Sequence, residues 1–292
     1  MKIAFGMIVF NGNYVLKQCL ESVYPYANEI VIAEGPVTYW QQKGHRTSFD
    51  GTNQIIDNFP DPQKKIKIIH SQYSEKDEQC NAYFNLLKDN NDYIWNLDSD
   101  EVFKPQDIDT IIRLLETEKY TSVGFKSCTF YGGFDRIMTG FEEENEFKRI
   151  YKIYPGSTWL THRPPTIKHV VNNIFPDKHL DFNNLRNNYG VKMYHYSYVF
   201  PRQVFEKLGY YKTAVSKANC HDDYFNRIYK PWVLGNDNQK KEIENRFNGV
   251  HEFIGRSSAF TAQFNGEHPE VIKNSINELK NKFMEQENAF CR

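Results

Sequence analysis

The stretch Tyr93-Ile94-Trp95-Asn96-Leu97-Asp98-Ser99-Asp100-Glu101 decides how this chain is read. Its first residues are mostly apolar and predict a buried strand, and two aspartates one residue apart stand at its end. Hard cations such as magnesium and manganese take oxygen ligands and share their shell with substrate phosphates and water. Two carboxylates at a strand tip can hold such an ion against a diphosphate, where it offsets charge on a leaving group. A bare Asp-x-Asp is weak by itself, since about one arises by chance in a chain of this length. The plain alternative is a polar strand–helix turn in which Asp100 serves as a cap. The surrounding pattern decides between the two.

Working outward, residues 2–10 predict an apolar strand and 11–13 a turn, with Asn13 placed to cap a helix running to residue 23. A second strand spans 29–33 and leads into Glu34-Gly35-Pro36. A polar loop over 37–50 carries Lys43, His45 and Arg46. Next come a helix at 52–59, a strand at 66–70, a helix at 75–88, the strand at 92–97 and a helix at 105–116, the last with Pro105 in its first turn. This alternation predicts an α/β fold with a Rossmann-like, mostly parallel sheet flanked by helices. Ligands of such sheets sit beyond the carboxyl ends of the strands, which groups Asn11, Glu34, His70 and Asp98. Strand-like segments at 122–130, 147–154 and 191–198 break the alternation and predict a mixed sheet with antiparallel pieces. Helices are expected at 203–218, 239–247 and 270–287, with a weak boundary near residue 200.

Composition excludes several classes. The 292 residues are 40% hydrophobic and 25% charged, which is globular. Thirty-six basic against 37 acidic residues give a net charge of −1, so no excess exists to neutralise a nucleic-acid backbone. No apolar run reaches the ~20 residues that span a bilayer. The run Ile3–Phe10 is too short for a signal peptide and lacks a cleavage pattern. Five widely spaced cysteines without a C-x-x-C argue for reduced thiols and a cytoplasmic protein. Twenty-two Phe, 19 Tyr and 4 Trp are first a packing feature, and they also suit stacking against a sugar face.

Three stretches resemble the inverting glycosyltransferase family 2, of GT-A fold. They are Ile8-Val9-Phe10-Asn11-Gly12-Asn13-Tyr14-Val15-Leu16-Lys17-Gln18-Cys19-Leu20-Glu21-Ser22-Val23, then Glu29-Ile30-Val31-Ile32-Ala33-Glu34-Gly35, then Asn96-Leu97-Asp98-Ser99-Asp100-Glu101. The resemblance implies a nucleoside diphosphate sugar donor, a hydroxyl acceptor and a divalent cation, Mn²⁺ or Mg²⁺. It places Phe10 and Asn11 near the nucleobase. It puts Glu34 against base or ribose where the family usually has Asp, and Asp98 and Ser99 at the donor. Asp98 and Asp100 would ligate the metal. It divides the chain into a GT-A domain over 1–200, with a nucleotide-sugar half to 120 and an acceptor half from 121, and a helical extension over 201–292.

Two later segments are family-like. In the first, Lys148–Trp159 leads to Thr161-His162-Arg163-Pro164-Pro165. Relatives carry an acidic candidate base after the histidine, and here Arg163 stands in its place. A guanidinium cannot abstract a proton, though it can bind a phosphate or carboxylate. His162, or the acidic run Glu142-Glu143-Glu144 through Glu144, is then the candidate base, against the bland readings of a structural histidine and a solvated loop. In the second, Met193-Tyr194-His195-Tyr196-Ser197-Tyr198, His195 resembles the late histidine that completes the metal shell. A nucleotidyltransferase of similar fold and a non-catalytic sugar- or nucleotide-binding relative are the rival readings. Asn11-Gly12-Asn13 with Lys17 is a poor phosphate loop for the first, and Arg163 is the main support for the second. The amphipathic helix at 270–287 packs on its own domain, forms a homodimer or meets a membrane surface.

Overall fold

The computed structural model describes residues 1–162, 165–168, 177–214, 219–256 and 258–291. Among the described residues, thirteen strands run in chain order: β1 Ile3–Val9, β2 Glu29–Glu34, β3 Ile66–His70, β4 Tyr93–Asp98, β5 Glu101–Val102, β6 Ser122–Tyr131, β7 Arg136–Met138, β8 Glu146–Lys152, β9 Thr158–His162, β10 Pro165–Lys168, β11 His179–Leu180, β12 Met193–Tyr198 and β13 Thr261–Gln263. They belong to two compact units. The first comprises Met1–Lys126 and Glu146–Lys192, the second Ser127–Asn145 and Met193–Arg292. This division differs from the boundary drawn near residue 200: the chain enters the second unit within β6, returns at β8, and leaves the first for good before β12.

In the first unit β3, β2, β1 and β4 pair in parallel, and β8 joins β4 antiparallel. The first half of β6 pairs antiparallel with β8, and β11 adds to it in parallel. This is the mixed, mostly parallel sheet the sequence predicts. Every residue of β1 is buried, as expected of a central parallel strand covered on both faces. Trp95 of β4 stacks on Phe5 of β1 at 5.1 Å and on Phe125 of β6 at 5.5 Å between ring centroids, so one aromatic row ties strands across the sheet. The helix Lys76–Leu87 packs against β1, β2 and β9. Gly6 is what lets it approach: a Cβ there would lie 2.3 Å from the ring of Tyr83, whose hydroxyl donates to Asn96 Oδ1 at 2.9 Å.

The second unit holds the rest of β6 with β7, β12 and β13. β12 runs parallel to β6, and β7 lies antiparallel to both β6 and β13. Its core gathers Tyr131, Tyr198, Tyr224, Tyr229 and Trp232 with Val204, Leu208 and Ile228. Helices Pro201–Ala214 and Glu270–Phe290 pack together. Ile272 and Leu279 are buried and supply the apolar stripe of the last helix.

Several local expectations fail for physical reasons. The first helix starts at Leu16, not Asn13. Asn13 is committed elsewhere: its backbone N–H donates to Asp50 Oδ2 and its side-chain amide to the Asp50 carbonyl. The loop over 37–50 contains a helical turn, Thr38–Gln41. The strand Thr261–Gln263 has no counterpart in the sequence pattern, because three polar or small residues carry no alternation. The acidic run after Phe141 is a helical turn, Phe141–Glu144, and not a wholly solvated loop, because Glu142 is buried.

Candidate functional site

The parallel register brings the predicted strand ends into one row of the first unit. Asp98 stands opposite Ile8, Glu34 opposite Val9, and His70 opposite Glu34. Beyond β1 the chain turns at Asn11, whose φ of 53° is left-handed, a conformation asparagine tolerates better than most residues. Gly12 lies close to Ser99: a Cβ on it would be 3.1 Å from the Ser99 hydroxyl.

Asp98, Ser99 and Asp100 are half-buried at the tip of β4. Behind them lies Glu101, fully buried, and between Asp98 and Glu101 sits Arg149 of β8. Arg149 donates to Asp98 Oδ2 at 2.7 Å and through Nε to Glu101 at 2.9 and 3.1 Å. Burial opposes its charge, but Glu101 and then Asp98 more than offset that and hold the guanidinium above its ordinary value. The arginine therefore fixes the first aspartate in place and screens the negative charge gathered there. Among the described residues no three His, Cys, Asp or Glu side chains converge as a metal cage. A magnesium- or manganese-type ion commonly takes one or two carboxylates and completes its shell with phosphate and water; Asp98 and Asp100 are of that type, with Asp98 Oδ2 already engaged by Arg149.

The second corner is built around Glu34. Its side chain is only 1% exposed, so it is no solvated strand-end carboxylate. Oε1 accepts from the Ser48 N–H at 2.8 Å, the Thr47 hydroxyl reaches both oxygens, and Oε2 pairs with His70 Nδ1 at 3.0 Å. The same loop is tied to the β1 end. Asn11 N–H donates to Ser48 Oγ, Phe49 N–H to Asn11 Oδ1, and Gly12 N–H to Thr52 Oγ1. A cavity of about 460 Å³ opens here, lined by Glu34, Arg46, Thr47, His70, Ser71 and Gln72. Phe10 adjoins an aromatic group with Trp40, His45 and Phe49, in which His45 stacks on Phe49 at 4.1 Å.

The remaining candidates belong to different units. His162 ends β9 in the first unit, buried at 8% exposure. Its backbone N–H is held by Asp77, and its Nδ1 lies 3.6 Å from Cys80 Sγ. Burial pushes the Cys80 thiol up to about 12, so that neighbour is protonated at neutral pH. Arg163 lies outside the described residues. Glu144 is exposed and belongs to the second unit. So does His195, buried on β12 opposite Thr129. Within that unit His195 adds to the positive field of His251 and Arg256 at Glu142. Two roles are invisible in the sequence. Arg149 stands in a strand that resembles the family, but nothing in its pattern shows a partner 48 positions away. His70 groups with the strand ends, but its pairing with Glu34 requires the register.

The sequence model of Glycosyl transferase family 2 matches residues 47–177. The matched segment contains Asp98, Asp100, Arg149 and His162. Over that segment the chain resembles glycosyltransferase family 2. No curated protein matches the chain significantly. Among solved structures, residues 1–349 of S. aureus TarS are 11% identical, with 99% of this chain and 83% of that one covered and a TM-score of 0.42. The same TarS fragment in complex with UDP-GlcNAc gives 11%, 100%, 90% and 0.43. The 4-diphosphocytidyl-2C-methyl-D-erythritol synthase from Anaerococcus prevotii DSM 20548 gives 10%, 52%, 71% and 0.31. Likenesses this distant say nothing of chemistry.

Proposed function

We propose that the protein is a hexosyltransferase-type enzyme that moves a sugar from a nucleoside diphosphate sugar to a hydroxyl acceptor, with inversion at the anomeric carbon. The observation that carries this reading is the Asp98–Asp100 pair at the tip of β4, inside the family-matched segment and in the same strand-end row as the cavity at Glu34 and His70. Phe10, Asn11 and Ser99 lie along that row and are proposed to flank the donor. Asp98 and Asp100 would hold a divalent cation, which supplies electrostatic stabilisation of the departing diphosphate. Arg149 keeps Asp98 oriented for this role.

The acceptor hydroxyl loses its proton to a base as its oxygen bonds to the anomeric carbon, and the glycosyl–phosphate bond breaks to release the nucleoside diphosphate. Attack on the face opposite the leaving group inverts the centre. His162 is the proposed proton acceptor, since an imidazole titrates near neutrality and this one lies in the first unit with the aspartates. Asp100→Ala is expected to lower nucleoside diphosphate release from nucleotide sugars at least 100-fold, and a chelator to do the same to the unaltered protein. Turnover indifferent to both would remove the metal from the mechanism. His162→Gln separates the base assignment from the rest: its activity should fall while donor binding holds.

A further inference from the structure

We propose that His70, oriented by Glu34, reads the nucleobase of the donor, and that the pocket takes an imide-bearing pyrimidine, uracil or thymine. This rests on the donor reading above. It differs from the expectation that the strand-end carboxylate touches the base itself.

Glu34 is already engaged. Its oxygens accept from Ser48 N–H, the Thr47 hydroxyl and His70, and its side chain is 1% exposed. The His70 side chain is 55% exposed and lines the cavity. A carboxylate only accepts hydrogen bonds, so at the 3.0 Å contact the proton sits on His70 Nδ1. In the neutral ring the other nitrogen, Nε2, then carries a lone pair and is an acceptor. The tautomer is thus set by a buried group that the ligand never meets.

Around this acceptor the pocket offers donors. Arg46 uses one guanidinium nitrogen on Gln72 Oε1, at 3.0 Å, and a guanidinium has five N–H donors. Because Gln72 spends its carbonyl on Arg46, its NH₂ is the end that remains to donate. The lining therefore sets one acceptor among donors. The imide edge of uracil or thymine presents the complement, an N–H between two carbonyl oxygens. Cytosine presents a bare ring nitrogen there, which would face the Nε2 lone pair, and an amino group where the pocket has donors. Such pairing disfavours the mismatched base because lone pair would face lone pair and donor would face donor. At about 460 Å³ the cavity has room for a base and ribose.

The experiment is calorimetric titration of the full chain, with manganese present, by UDP, dTDP, CDP and GDP. UDP and dTDP are expected to bind at least tenfold more tightly than CDP or GDP. His70→Phe, at a half-exposed position that should not disturb folding, is expected to weaken UDP at least tenfold, leave CDP unchanged and bring their ratio near one. Glu34→Gln, a positioning change, is expected to shrink the same ratio, because an amide can donate to Nδ1 and release the tautomer. CDP or GDP binding as tightly as UDP, or a UDP-to-CDP ratio untouched by His70→Phe, overturns the proposal and leaves the transferase reading intact. Failure of all four nucleotides to bind removes both.

Discussion

Arg149 carries the sharpest structural prediction, because two carboxylates of the site depend on it. Arg149→Met keeps the length of the side chain and removes the guanidinium. Glu101 is completely buried, Arg149 is 5% exposed and Asp98 28% exposed. The loss at Asp98 is modest, since water can replace the arginine there and an exposed ion pair contributes only about 0–1 kcal/mol. The loss at Glu101 is large: removing one partner of a buried pair costs about 3–5 kcal/mol because the other charge is stranded. Glu101→Gln with Arg149→Met leaves no charge to strand, so the double variant should recover most of that loss. Urea unfolding followed by tryptophan fluorescence is the assay. Trp40, Trp95 and Trp159 belong to the first unit and Trp232 to the second, so the signal reports mainly on the unit being perturbed. With a slope of about 2 kcal/mol per molar urea, the single variant should move the midpoint by roughly 2 M. A cost for Arg149→Met below ~1 kcal/mol, or two substitutions whose effects simply add, would show that the Glu101 pair is not what holds the strand tip.

Three further outcomes rest on particular residues. Burial alone would raise the Glu142 carboxyl, but His251, whose Nε2 lies 3.5 Å from Oε2, with the charges of His195 and Arg256, brings it from 4.5 down to about 2. Its contribution is therefore complete above pH 4.5 and is lost as the pH falls toward 2. Glu142→Gln should abolish a pH-dependent loss of order 3 kcal/mol over that window, and parallel acid-unfolding curves for the two proteins would refute this. Gly35 has a φ of 144°, and a Cβ there would lie 1.8 Å from the Ser71 carbonyl oxygen. Gly35→Ala should cost at least the ~1–3 kcal/mol of such backbone strain and weaken nucleotide binding beside Ser71, whereas an unchanged melting temperature would contradict it. All five cysteines are free, and burial holds Cys19 well above its usual range and Cys80 at about 12. A thiol reagent at pH 8 should count five sites in denaturant but leave these two unreacted in the native protein, and rapid native labelling of either would count against the buried placement.

Much of the first unit is legible in the sequence because its signals are local. The strand at 66–70 and the helix beginning with Pro105 follow from apolar runs and a first-turn proline, and the structure keeps both starting points. The strand-end rule places Asp98, Glu34 and His70 in one row, as the register does. What fails depends on distant partners. Asn13 reads as a cap until Asp50 claims it, and Glu142 reads as solvated until Thr129 and His251 receive it.

The sequence by itself determined the class of fold and which residues stand at the carboxyl ends of the parallel strands, where the proposed site lies, since periodicity and strand termini are properties of contiguous residues. Only the tertiary structure decided what the carboxylates do there. Hydrogen bonding and burial are set by residues far apart in the chain: Arg149 reaches Asp98 and Glu101 from 51 and 48 positions away, and Glu34 reaches His70 across 36. Those pairings turn one carboxylate into an anchored candidate ligand and the other into a buried support for a histidine.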